Sequence, residues 1–268
     1  MQRLGIIDYF GAIANFIGKT STMVELEARK LQHDYTDLFT RAVQPALWLL
    51  IVGPVLASVR AIPTGTLPYI DFMAPGILAQ SVLFISIFYG IATIWERDLG
   101  IIHKFLVTPT YRSALVLGKA LSAGERGLAQ AAIVYILAFG LGVKLSWSII
   151  PLLLGIIMII LGSALFSTFS LIIACLVKTR ERFMGIGQVL TNPLFFASNA
   201  IYPLSIMPNW LQVVARVNPL TYMVDALRAL MLSNGPTVYT VPFDFLFMAG
   251  ALVINVAIAS KLYPRVII

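Results

Sequence analysis

The sequence predicts an all-α, polytopic membrane protein with six transmembrane helices. Three observations carry this reading. Of 268 residues, 59% are hydrophobic and only 12% charged, against roughly 25% charged in soluble domains, and the mean hydropathy is +0.89. The apolar residues fall in long charge-free runs, and a bilayer core about 30 Å thick needs around 20 such residues per helix. The basic residues sit in the gaps between those runs. Too few charged side chains remain to clothe a soluble globule, which excludes a soluble enzyme, and the apolar content excludes a disordered chain. A single cysteine, Cys175, excludes an internal disulfide scaffold. The net charge of +7 does not mark a nucleic-acid binder, because that function needs Lys and Arg gathered on one folded face.

The elements come in order along the chain. Ile7, Phe10, Ala14 and Ile17 recur at helical spacing and predict an N-terminal amphipathic helix on the membrane surface. A second helix is expected from Thr22, with Glu25 in capping-box position and Val24, Ala28, Leu31, Tyr35 and Leu38 as its apolar stripe. Six charge-free runs then read as spans: Ala42–Val59, Phe72–Trp95, Gly127–Val143, Ile149–Val177, Met184 to about Tyr202, and Phe245–Ser260. The sixth is short unless Val241 to Phe243 join it. Between the second and third runs, Gly100 and Pro109 bracket a short helix.

Beyond the fifth run the prolines are informative. Asn192-Pro193 breaks the run, and Tyr202-Pro203 and Met207-Pro208 break the stretch after it. Each proline removes a backbone donor, which lipid cannot replace. The chain is therefore expected to turn back near the outer surface as external re-entrant helices between spans five and six. One helix begins at Asn209-Trp210-Leu211, and the next starts after Asn218-Pro219 and carries Asp225 and Arg228, three apart and able to pair.

Orientation comes from the basic residues. Fifteen of nineteen lie before the first run, between the second and third, between the fourth and fifth, or after the sixth; the others are Arg60, Lys144, Arg216 and Arg228. Cytoplasmic loops retain Lys and Arg, so both termini are expected in the cytoplasm.

The runs contain no Asp, Glu, His, Lys or Arg, the groups that ion-coupled transporters place inside the membrane. His33 and His103 lie far apart with no metal-binding spacing. Gly18-Lys19-Thr20 ends like a phosphate-binding loop, but Ile13 stands where that loop needs glycine. No catalytic, cofactor or metal residue is expected on this chain.

Two stretches carry a resemblance. Glu96-Arg97-Asp98-Leu99-Gly100 with Thr108-Pro109 and Leu117-Gly118-Lys119, and then Tyr202-Pro203, Pro208-Asn209-Trp210-Leu211 and Asn218-Pro219-Leu220-Thr221-Tyr222 with Asp225 and Arg228, resemble the membrane-spanning permease subunits of type-2 ATP-binding-cassette exporters. The likeness is to the branch that includes drug-resistance and nodulation-factor export permeases, and it spans essentially the whole chain. It implies one permease domain over 1–268, with 1–41 interfacial, 42–262 the six-span bundle and 263–268 a cytoplasmic tail. It further implies a multi-pass protein of the cell membrane, a second permease copy, surrounding lipid, and a separate cytosolic ATPase subunit that binds ATP and Mg. Nucleic acid is not among the expected partners.

By the same resemblance, a short coupling helix after Gly100 transmits ATPase movement, with Glu96, Arg97, Asp98, Gly100, His103, Lys104, Thr108 and Pro109 as coupling residues and Lys178, Arg180 and Arg182 as a secondary contact. Where the family usually has an acidic residue this chain has His103-Lys104. Glu96 and Arg97 are equally readable as a local interfacial ion pair. The second and fifth spans would line the path with Phe84, Phe88, Tyr89, Asn192, Phe195, Phe196, Asn199 and Tyr202, aromatics and amides that suit a lipophilic or amphipathic substrate; helix packing is the alternative. Pro208, Trp210, Asn218, Pro219, Asp225 and Arg228 form the external re-entrant segment. The expected function is ATP-driven export of a hydrophobic or amphipathic small molecule. A lipid-linked glycan exporter of the same family and an ion-coupled transporter or channel are the alternatives.

Overall fold

The computed structural model describes residues 18, 20–22, 25, 35–59, 62–65, 67–100, 112–177 and 179–263, and among them it is built from helices. The first, α1 (Tyr35–Leu47), passes through a π-helical turn (Trp48–Val52) into α2 (Gly53–Val59). Then come α3 (Tyr69–Asp98), α4 (Arg112–Gly140), α5 (Ile149–Leu176), α6 (Arg180–Phe196), α7 (Asn209–Val217), α8 (Pro219–Met231) and α9 (Val241–Leu262). Among the described residues, four stretches are long and apolar enough to cross a membrane: Thr40–Val59, Tyr69–Asp98, Ile149–Leu176 and Val241–Leu262. Apolar side chains such as Leu50, Val55, Ile150, Leu153, Leu246 and Val253 point outward, as a lipid-facing surface requires.

Several boundaries differ from the sequence reading, each for a physical reason. The helix that enters the first span, α1, runs from Tyr35 through Arg41 without a break. Thr22 does not cap a helix start; its hydroxyl donates to the Gly18 carbonyl at 2.9 Å, a contact made within a helix. The third run is the end of α4, a longer helix that starts at Arg112 and carries Lys119, Glu125 and Arg126, so charge absence understates a helix whose polar half faces other helices. Pro193 does not break α6, which continues to Phe196. Val241 to Phe243 do join the last span, and Asp244 comes with them. Asp71 likewise lies in the first turn of α3. The spanning helices therefore do contain charged residues. The interfacial helix read at Ile7 to Ile17, most of the second N-terminal helix, and the tail 264–268 lie outside the described residues.

The central element is α5, apolar on all sides, packed against α3, α4, α8 and α9. A helix with no polar face belongs in a core or across a membrane, and α5 does both, burying its middle while Ile150 and Leu153 face outward. Gly76 on α3 allows the 197–200 turn to press against it: a Cβ there would stand 2.3 Å from the Ala200 carbonyl oxygen. The other end of α3 closes at Gly100, whose φ of +71° lets its N–H return to the Arg97 carbonyl at 2.9 Å.

Candidate functional site: a charged end, a cavity and a locked opposite end

The C-terminus of α3, the first half of α4 and the N-terminus of α6 converge at one end. Lys119 donates to Glu96, and both are buried. A charge out of water needs its counter-ion, so this pair ties α3 to α4. Among the described residues the ion pair of Glu96 is to Lys119 and that of Arg97 is to Asp98, rather than to each other. Arg97 reaches the Asp98 carboxylate at 3.1 Å and the Val177 carbonyl, at the end of α5, at 3.2 Å. Arg180 reaches the other Asp98 oxygen at 3.0 Å and lies 4.1 Å over the Trp95 ring. Asp98 thus holds α3 to α6 at the surface. Thr179 caps α6 by accepting from the Arg182 N–H at 3.4 Å; the Arg182 side chain is exposed. His103, Lys104, Thr108, Pro109 and Lys178 lie outside the described residues.

Above this end, α1, α3 and α6 border a half-open cavity of about 370 Å³. Phe84 and Phe88 line it, their centroids 6.2 Å apart. Arg41, Gln44, Gln80, Ser81 and Gln188 supply its polar wall. The Arg41 guanidinium stands 5.9 Å from the Phe88 ring. The sequence reading named the amides Asn192 and Asn199 for the path and missed these; Gln44, Gln80 and Gln188 lie within three of the runs.

The other residues expected on the path do not converge here. Tyr89 turns to α4, 3.3 Å from the Ser122 hydroxyl, with Arg126 4.7 Å over its ring. Phe195 is fully buried, edge-on to Trp48 at 5.7 Å. Phe196 is exposed beside it and Asn192 is half-buried. The Tyr202 hydroxyl donates to the Phe196 carbonyl. Asn199 is buried at the far end, its carbonyl accepting from Arg228 at 2.7 Å.

At that far end the turn-back has its own logic. Pro208 precedes α7, which presents Trp210, Val213, Val214 and Val217 outward. Asn218 caps α8, accepting from the Leu220 N–H at 3.0 Å, with Pro219 as first helical residue. Its amide donates to the Leu194 and Ala197 carbonyls at 2.7 and 2.9 Å, binding α8 to the end of α6. Asp225 and Arg228 are both buried, and among the described residues they form no ion pair with each other. Asp225 accepts from the Val238 and Tyr239 N–H groups at 2.8 to 3.0 Å. Arg228 donates to the Phe72 and Asn199 carbonyls and covers the Phe72 ring at 3.9 Å. Buried backbone groups at this turn need partners, and these two side chains supply them.

Comparison with known proteins shows the family. The model of the ABC-2 type transporter family matches residues 19–232. The chain is 29% identical over 221 residues to the ycf38 protein of Cyanophora paradoxa, whose name describes it as a putative transport permease, covering 80% of this chain and 74% of that protein. It is 22% identical to the daunorubicin resistance ABC transporter permease protein DrrB1 of Streptomyces coeruleorubidus (82% and 77% covered). It is 26% identical to nodulation protein J of Rhizobium leguminosarum bv. trifolii (74% and 75%). With a family match over most of its length and apolar helices long enough to cross a bilayer, the chain belongs to the ABC-2 type transporter family and is a transport permease domain of it.

Proposed function

We propose that this permease is one half of an ATP-driven exporter of hydrophobic or amphipathic small molecules. A second copy of the chain completes it, and a separate cytosolic ATPase subunit supplies ATP and Mg binding. In this reading α4 and α6 add two crossings to the four long apolar helices, making six, and both termini lie in the cytoplasm of a cell membrane.

One observation carries the proposal: α3 joins the charged end to the cavity. Glu96, Arg97 and Asp98 fasten it to α4, α5 and α6, while Phe84 and Phe88, farther along the same helix, line the cavity. A tilt imposed at the charged end is carried as rigid-body motion to the cavity wall, and α6 forms part of both. The described coupling candidates split in role: buried Glu96 positions α3, whereas Asp98, Arg180 and Arg182 remain accessible to an ATPase.

The test uses the chain co-expressed with candidate ABC ATPase subunits from the same genome and reconstituted in vesicles. The ATPase is expected to co-purify. Arg180→Gln and Asp98→Asn, which break an exposed pair worth about 1 kcal/mol or less, are expected to leave folding intact and lower transport-linked ATP hydrolysis by about fivefold or more. No co-purifying ATPase, together with unchanged hydrolysis in both variants, overturns the proposal. A second reading is favoured by Asp244, buried in α9 with neither carboxylate oxygen hydrogen-bonded among the described residues. Such a group suits ion coupling, which predicts gradient-driven transport by this chain alone.

A further inference from the structure

We infer that the crevice between α4 and α5 is a binding site for one acyl chain of a membrane phospholipid, in the leaflet away from the charged end. The site holds whatever drives transport.

The crevice follows from how the two helices cross. At Gly124 and Gly127 they touch: a Cβ on Gly124 would stand 3.2 Å from the Ile160 side chain, and one on Gly127 would collide with the Ser163 hydroxyl. Small residues let helix backbones approach in a membrane. Farther along, the contact opens. A Cβ on Gly155 would meet only the Tyr135 hydroxyl, at 3.9 Å. The result is a crevice of about 570 Å³. The short side chains of Ala131 and Ala132 line it on α4, and Leu152 and Ile156 line it on α5. Phe139 and Trp147, edge to face with centroids 5.9 Å apart, stand at its loop end.

Its depth fits one leaflet. With a rise of about 1.5 Å per residue, Phe139 lies roughly 30 Å along α4 from Lys119 at the charged end, and the crevice, from Leu128 to Phe139, runs for roughly 16 Å. A hydrocarbon core is about 30 Å thick. The crevice therefore occupies the half away from the charged end, and Trp147 sits at the far interface, where tryptophan gathers.

The lining chemistry selects lipid over water and over protein. Among the described residues that line the crevice, only Tyr135 and Trp147 carry a polar side-chain atom, and a held water needs several polar partners. The rim continues the lipid-facing surface, with Ile136, Ile150, Leu153 and Ile157 all exposed. Helix contacts between membrane proteins favour small or hydrogen-bonding residues, and these four are neither. An empty crevice would forfeit dispersion contacts along both walls. An acyl chain regains them, because it bends to the shape of the walls.

The test is native mass spectrometry of the full chain purified from palmitoyl-oleoyl phosphatidylcholine nanodiscs into detergent, counting the phospholipids retained per chain. The parent is expected to keep one. Ala132→Trp, which places a ring in the crevice from an exposed position, is expected to lower the fraction of chains carrying that lipid by about fivefold or more. Ala132→Leu should lower it by less. Leu246→Trp puts similar bulk on the exposed face of α9 and is expected to stay within about twofold of the parent. Protection of buried Cys175 from a maleimide reports that each variant is folded. Equal retention by the parent and both folded Ala132 variants overturns the inference. So does an equal loss in Leu246→Trp, which marks a general shell of lipid. A dimer lost in Ala132→Trp with the lipid count unchanged also overturns it, because the crevice then receives a second copy of the chain.

Discussion

The Glu96–Lys119 pair makes the sharpest stability prediction. Glu96 is 5% and Lys119 4% exposed, and the two side chains meet directly. Glu96→Gln leaves the ammonium buried opposite a neutral amide. Breaking one partner of a buried pair costs about 3–5 kcal/mol. For a chain of 268 residues, each kcal/mol moves the thermal midpoint by roughly 2–4 °C, so the midpoint should fall by roughly 6–20 °C. Lys119→Met should do the same. The double variant Glu96→Met with Lys119→Met should recover most of the loss, because apolar residues often replace a buried pair at no cost. The protein carries its own reporter: Cys175, its only cysteine, is buried among Leu115, Val116, Leu171 and Tyr263. A fluorogenic maleimide labels it only on unfolding, so labelling against temperature gives the midpoint. Singles within about 2 °C of the parent, or a double variant whose loss equals the sum of the singles, would refute the account of this pair as a buried tie between helices.

Three further outcomes are read by the same assay. Gly76→Ala should destabilise by roughly 1–3 kcal/mol or more, because its Cβ would meet the Ala200 backbone at 2.3 Å; Gly250→Ala, with nothing within 4 Å, should be neutral or stabilising by about 0.5–1 kcal/mol. Asn218→Ala should lower stability by about 1–3 kcal/mol, since it removes the α8 cap and two donors to buried carbonyls. Asp244→Asn should leave the midpoint unchanged or raise it, because it replaces a buried carboxyl that no hydrogen bond supports among the described residues with a permanently neutral amide; a clear fall would reveal a favourable contact for the carboxyl.

What was legible in the sequence was whatever depends on lipid. Long apolar runs at 72–95, 149–177 and 245–260 became α3, α5 and α9, because a bilayer-crossing helix is apolar whatever its neighbours. The Asn218-Pro219 start of α8 was legible because cap and first-turn proline act locally. The length of α4 was not, since Lys119 and Arg126 satisfy themselves against Glu96 and Tyr89, residues distant in sequence. Nor was the fate of Asp225 and Arg228. Spacing of three allows a pair, but each found stronger use on backbone groups of the 199 and 238–239 turns. The cavity was half legible: Phe84 and Phe88 stood out as aromatics, whereas Arg41 and the three glutamines gain meaning only once α1, α3 and α6 meet.

The charge-free runs lack the groups that ion-coupled transporters place inside the membrane. The helices are longer than the runs and do carry charge, so what matters is how that charge is satisfied. Asp225 is held by two backbone N–H groups, Arg228 by two carbonyls, Glu96 and Lys119 by each other. Groups locked in this way are poor shuttles, because releasing a proton or ion would break what holds the helices together. Asp244 differs, lacking a hydrogen bond at either oxygen among the described residues. If Asp244→Asn leaves ATP-dependent transport intact in the assembled exporter, the buried carboxylate is a tolerated cost and the energy enters at the charged end. Gradient-driven uptake or efflux by the chain alone, abolished by Asp244→Asn, would instead place the coupling group inside α9 and displace the ATP-driven reading.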